Sequence, residues 1–284
     1  MAHFRRSVVA GMFYEDNAEA LRAQVESCFM HRFGPKKLPV VDLAGPRKIL
    51  GLVCPHAGYV YSGPVAANAY YELATDGKPD TIVVLGPNHT GEGSGIAVMN
   101  KGAWQTPLGN VEIDEIVADE IVRETSVLDV DEVAHRHEHS IEVQLPFLQY
   151  LYGSEFKFVP ICFLMQDLES AKEIGRALTE ALVDRNAVVI ASSDFTHYEP
   201  QASVNRKDLA ALKAVEALDE KQFYSILEEE NVSACGYAPI AALITYAKGM
   251  GAEKAEPLSH RTSGDITGDT TSVVGYAAVT IKKP

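Results

Sequence analysis

Three histidines and an aspartate stand directly after runs of apolar residues: His56 in "LVCPHAGY", His89 in "VLGPNHT", and Asp194 with His197 in "IASSDFTH". A histidine in a loop is ordinarily a solvated or hydrogen-bonded side chain, so any one of them carries little weight. Their recurrence past the ends of three separate apolar runs is what points to chemistry. Two or three neutral imidazoles with an anionic group could hold a divalent transition metal, since imidazole suits zinc, iron and copper and such a set leaves positions open for a substrate. The same residues could instead do metal-free acid–base work, Asp194 setting the tautomer of His197. No G-x-S-x-G turn supplies a nucleophile, although Ser192 and Ser193 lie beside the pair, so the metal reading leads.

Two further clusters could contribute. In "HRHEHSIE", His139 and Glu142 are three residues apart and Glu138 and Glu142 four apart, so a helix there would put them on one face; the plainer reading is a charged helix start. In "ACGYAPI", Cys235 precedes a proline-started helix. A helix N-terminus favours thiolate, which would make Cys235 a soft anionic ligand, whereas a lone cysteine otherwise packs as a small hydrophobe.

These residues need a scaffold that brings distant segments to one place. "KILGLVC" (48–54), "TIVVLG" (81–86), "FKFVPICF" (156–163) and "NAVVIASSDF" (186–195) read as strands apolar on both faces, with a final alternating strand, "SVVGYAAVTI" (272–281). Helical spacing covers 17–33, with a cap in "EDN", then 64–75, 114–125, the stretch "HEHSIEVQLPFLQYLYG", 168–183, 203–217, 219–229 and 239–248. The segments around Trp104 read as a hairpin-rich insertion. Alternation of strand and helix without repeats or linkers implies a single α/β domain over 1–284, a three-layer α/β/α arrangement with a mostly parallel, mixed central sheet. Ligands bind beyond the carboxyl ends of such strands, where the histidines fall. Glycines beside them (Gly58, Gly63, Gly91, Gly93, Gly95) permit close backbone approach.

Composition excludes several classes. With 46% hydrophobic residues the 284-residue chain can bury a full core. Its formal charge of −14, from 39 acidic and 25 basic residues, argues against nucleic acid as a partner. No apolar window approaches a membrane span and the N-terminal stretch lacks a signal-peptide core, so no membrane association and a cytoplasmic location are expected. Cys28, Cys54, Cys162 and Cys235 form no C-x-x-C pair and read as reduced thiols.

"PHAGYVYSG", "LGPNHT", "EHSIEVQLPFL", "SSDFTHYE" and "CGYAPI", in this order, resemble the Memo family, whose archaeal and bacterial members are also called AmmeMemoRadiSam system protein B. The resemblance runs from "RRSVVAGMFY" to "SVVGYAAV". It implies a fold similar to class III extradiol dioxygenases and a site for iron or copper, with zinc as a further option, at which His56, His89 and Cys235 match the family's ligands. Asp194 and His197 match the pair lining the same pocket, and His139, Glu142 and Tyr59 would be pocket-wall or supporting groups. Animal relatives are associated with phosphorylated peptides and redox chemistry, and the family's name suggests a radical-SAM genomic companion. Unlike the dioxygenases, which use a carboxylate as third ligand, this chain offers a thiol; that makes ring cleavage doubtful and favours a softer metal. The expectation is a metal-dependent oxidoreductase acting on an unidentified small molecule. The alternatives are a non-catalytic module capturing a peptide or small anion through the histidines and Arg261, and a zinc hydrolase.

Overall fold

Leu50 and Val53 belong to one apolar cluster, while Ile49, Leu52 and Cys54 of the same strand belong to another. Strands that are apolar on both sides must be covered on both, and this dictates the layers. The structure, a computed structural model, describes residues 4–284. The elements begin with β1 (Phe4–Arg5), α1 (Ala18–Met30), β2 (Ile49–Cys54), α2 (Tyr59–Thr75) and β3 (Thr81–Pro87). There follow β4 (Ile96–Val98), β5 (Ala103–Thr106), β6 (Gly109–Ile113), α3 (Glu115–Arg123) and β7 (Asp129–Val130). Two 3-10 turns, Val133–His135 and Glu142–Gln144, lead to α4 (Leu145–Tyr152) and β8 (Lys157–Phe163). Then come α5 (Leu168–Leu182), β9 (Ala187–Ser192), β10 (His197–Glu199), α6 (Gln201–Glu216) and α7 (Glu220–Glu229). The chain closes with α8 (Tyr237–Gly249), β11 (Ala255–Thr262), α9 (Ser263–Thr267) and β12 (Val273–Lys282).

Among the described residues the strands form one twelve-stranded mixed sheet. Its centre is the parallel set β8-β3-β9-β2, and β12 runs antiparallel to β2. Apolar residues of α1, α2 and α4 pack on one face, those of α3, α5, α6, α7 and α8 on the other. Cys54 is level with Ser192, and Leu85 with both Ala191 and Ile161, so the carboxyl ends of the four parallel strands finish together. The α/β architecture expected from the sequence is the one observed.

Several elements differ in detail: the short β1, β7, β10 and α9 are not among those expected, and three further differences have a local cause. The helix expected from Pro64 begins at Tyr59, with Pro64 inside it; a proline near a helix start removes only one backbone bond. "HEHSI" is irregular, and helix begins only at the Glu142–Gln144 turn. The reason is local: the Glu138 carboxylate accepts from its neighbours His139 N and Ser140 N, each at 2.8 Å, which ties the backbone into a non-helical loop. The shared helical face inferred for His139 and Glu142 therefore does not form. Finally, β11 has no counterpart among the expected strands, because Pro257 and polar residues hide a strand that pairs, among the described residues, with β12 alone.

Candidate metal centre

The loops leaving β2, β3 and β9 carry His56, His89 and Asp194 to one rim of the sheet, as the level strand ends require, and His197 follows as the first residue of β10. His139 arrives from the loop ahead of α4. Atoms that His56, His89 and His139 can offer to a metal all lie within 4.8 Å of one another. His56 is buried, His139 half-buried and His89 exposed, so the cluster opens to solvent on the His89 side. Cys235 lies beside this group rather than in it, with Sγ 3.2 Å from His56 Nε2.

The hydrogen bonds determine which nitrogen of each ring is free. Ser192 Oγ donates its one proton to Ser140 O at 2.7 Å and accepts from Gln144 Nε2 at 2.8 Å. The Gln144 amide is itself oriented by Tyr70 Oη donating to Oε1 and by Nε2 donating to Pro55 O. With its proton spent, Ser192 can only accept at its 2.9 Å contact with His56 Nδ1. His56 thus carries its proton on Nδ1 and its lone pair on Nε2. At His89, Nδ1 lies 3.0 Å from Glu138 Oε1, and a carboxylate accepts, so Nε2 is again free. His197 repeats the pattern through Ser233 O at 2.9 Å. Imidazoles with Nδ1 tied to a built-in acceptor and Nε2 left as a base are what a metal site requires.

Glu138 is fully buried and central. It takes His89 through both ring and backbone, and its Oε1 lies 3.4 Å from His139 Nδ1. Burial works against its ionisation, but His89, His139 and the Ser140 N–H together hold it far below the usual carboxylate range. In return, although burial pulls the other way, the hydrogen bond and charge of Glu138 raise His89. Burial lowers His56 strongly, with the charges of His139 and His89 adding to it, and burial lowers His139 as well. Both rings are neutral at pH 7, the form that ligates metal.

Asp194 is buried and accepts from His56 N at 2.9 Å. Burial pushes its carboxyl up to about 6 against the pull of those N–H groups and of His197. It does not hold His197 Nδ1, which is Ser233's partner. Asp194 N instead points at Cys235 Sγ, 3.3 Å away. Burial, with the Asp194 charge beside it, pushes the Cys235 thiol well up, the reverse of the lowering expected ahead of a helix. Thiolate therefore needs a cation to form here. Gly236 lets the Cys235 loop close on β9, since a Cβ there would lie 2.3 Å from Ser192 O. Gln166 fastens the same loop, donating to Cys235 O at 2.8 Å.

Other residues singled out in the sequence lie elsewhere. Tyr59 is in the core beside Tyr14 and Phe147, its hydroxyl donating to Val143 O at 2.7 Å. The Glu142 carboxylate is taken up by Arg5, Tyr14 Oη and the N–H groups of Val8 and Val9. Arg261 is exposed and lies over the Phe33 ring. The sequence reading missed Gln144, Ser140, Ser233 and Gln166, and took Ser192 only as a possible nucleophile. Glu138, flanked by two histidines in "HEH", was the one legible signal.

The architecture and the imidazole cluster define an α/β protein with a candidate metal centre beyond the carboxyl ends of its parallel strands. Residues 5–280 match the Memo-like protein family, and the chain belongs to that family. It is 52% identical over 281 residues to a MEMO1 family protein of Methanopyrus kandleri, covering 98% of this chain and 99% of that relative. A MEMO1 family protein of Methanothermobacter thermautotrophicus is 49% identical over 275 residues, 96% of this chain and 98% of that one. The fold is also similar to the crystal structure of an uncharacterized protein from Escherichia coli K12, with a TM-score of 0.52 and 16% identity over 82% of this chain and 100% of that chain. That likeness concerns the fold alone. Among the described residues no helix is long and apolar enough to cross a membrane.

Proposed function

We propose that the chain binds a single iron or copper ion through His56, His89 and Cys235, with His139 beside them, and works as a metal-dependent oxidoreductase on a small molecule. The observation that carries this reading is the tautomer pattern: Ser192 and Glu138 take the Nδ1 protons and leave Nε2 of His56 and His89 as bases in one cluster. The donor set fits such an ion, since imidazoles held at Nδ1 with Nε2 turned to the cluster and a thiol that can ionise match iron and copper. When bound, the ion supplies electron transfer and Lewis acidity.

The protein's own residues would do the rest. The exposed side of His89 admits the substrate, and the buried His56 side excludes water. His197, held at Nδ1 by Ser233, keeps Nε2 available to take or give a proton, and Asp194 is close enough to feel its charge. Metal analysis tests the proposal. Wild type is expected to retain iron or copper through dialysis, while His89→Ala and Cys235→Ala lose most of it with the secondary structure intact. Equal retention in all three would remove the ligand assignment. Turnover that needs zinc and consumes no oxygen would replace redox chemistry with hydrolysis.

A further inference from the structure

Arg5 lies far from the imidazoles in sequence and ligates nothing, yet it holds the loop that orients them. It is 7% exposed, lies 4.0 Å over the Trp104 ring, and apart from an Nη1 contact with Arg6 O at 3.3 Å gives its guanidinium to residues 135–142. Nε donates to His135 O at 2.8 Å, Nη2 to Glu138 O, and Nη1 pairs with the Glu142 carboxylate. Glu142 then draws in the N-terminal segment by accepting from Val8 N, Val9 N and Tyr14 Oη. Phe13 of that segment meets the His139 ring edge-on at 4.8 Å.

This loop has no regular hydrogen-bond ladder to fix it. It nevertheless carries Glu138, which takes His89 Nδ1, His139 itself, and Ser140, whose carbonyl takes the Ser192 proton and so makes Ser192 an acceptor for His56. The tautomers of both His56 and His89 therefore depend on where residues 138–140 sit. A planar fork can bond two carbonyls and a carboxylate at once, which a lysine ammonium cannot do in the same geometry.

We propose that Arg5 is a positioning residue for the metal centre: by fixing the loop at His135, Glu138 and Glu142 it sets which nitrogen of His56 and His89 is free. The inference rests on the metal reading for its consequence, and on the loop geometry alone for its cause.

Arg5→Met by itself would leave Glu142 buried and unpaired and could simply unfold the chain, so the informative variant is Arg5→Met/Glu142→Gln. It removes both charges and keeps an acceptor for Tyr14. Two measurements on full-length protein decide the matter: cobalt(II) affinity with its visible spectrum, and the nitrogen chemical shifts of the histidine rings without metal. The double variant is expected to stay folded, to bind cobalt about 10–100-fold more weakly, as loss of orienting contacts does, and to show His89 as a mixture of tautomers. Arg5→Lys, which preserves the charge but not the fork, should shift both readouts in the same direction. Wild-type affinity and ring signals in the double variant, or full rescue by lysine, would overturn the proposal and reduce Arg5 to charge balance. Should wild type take up no cobalt, the metal reading fails by itself, and the ring signals still decide for or against Arg5.

Discussion

Under the proposed function, Cys235 is the residue on which the chemistry would turn. Its thiol lies 3.2 Å from His56 Nε2, in surroundings that push its ionisation well up. A cation that takes this sulfur must displace its proton, so binding is coupled to pH. Metal uptake is expected to release a proton, and apparent affinity to rise up to about tenfold per pH unit below the thiol's ionisation. A pH indicator followed during metal addition reads this directly, and Cys235→Ala should lose the release attributable to the thiol. A wild type whose affinity does not change with pH would exclude thiolate ligation. Cys28, Cys54 and Cys162 are buried and pushed up by burial in the same way, but no imidazole hydrogen bond marks them.

Among the elements, the short turn Val133–His135 is joined to the candidate centre through Arg5, which bonds both His135 O and Glu138 O. His135 is fully buried against Trp104, and burial, with the Arg5 charge next to it, lowers its ionisation to about 3. The folded state keeps this ring neutral, while the unfolded chain protonates it near 6.5. The unfolded state therefore binds more protons between those values. Stability from this group is complete above pH 6.5 and is lost as pH falls toward 3, with a slope of at most about 1.4 kcal/mol per pH unit. Urea unfolding at a series of pH values should show the slope in wild type and lose this component in His135→Phe. Because Arg5 bonds the His135 carbonyl, acid that loosens this turn should also weaken the metal centre.

For the whole molecule, the doubly covered sheet sets the energetic scale. β3 and β9 are buried along their lengths, so a deletion there leaves a cavity between layers that cannot collapse independently. Ile190→Ala, at a fully buried site on the face covered by α1, α2 and α4, should cost roughly 2–5 kcal/mol in denaturant unfolding. Val60→Ala, 65% exposed at the start of α2, should stay within about 0.5 kcal/mol. The net charge of −14 favours solubility without shaping the fold.

The sequence by itself determined the layers and the edge of the sheet at which the histidines gather. Continuous apolar runs such as "TIVVLG" can only be strands covered on both sides, and parallel strands place His56, His89 and Asp194 past their ends. It also contained the family words that the Memo-like match bears out. Only the tertiary structure decided how the imidazoles are wired, because each Nδ1 acceptor is supplied by a distant segment: Ser192 for His56, Glu138 for His89 and Ser233 for His197. Periodicity cannot find such partners, since it reports which face of an element is apolar and not which loops meet. It fails for the same reason at "HEHSI", where the Glu138 carboxylate outcompetes the helix for the backbone N–H groups of His139 and Ser140.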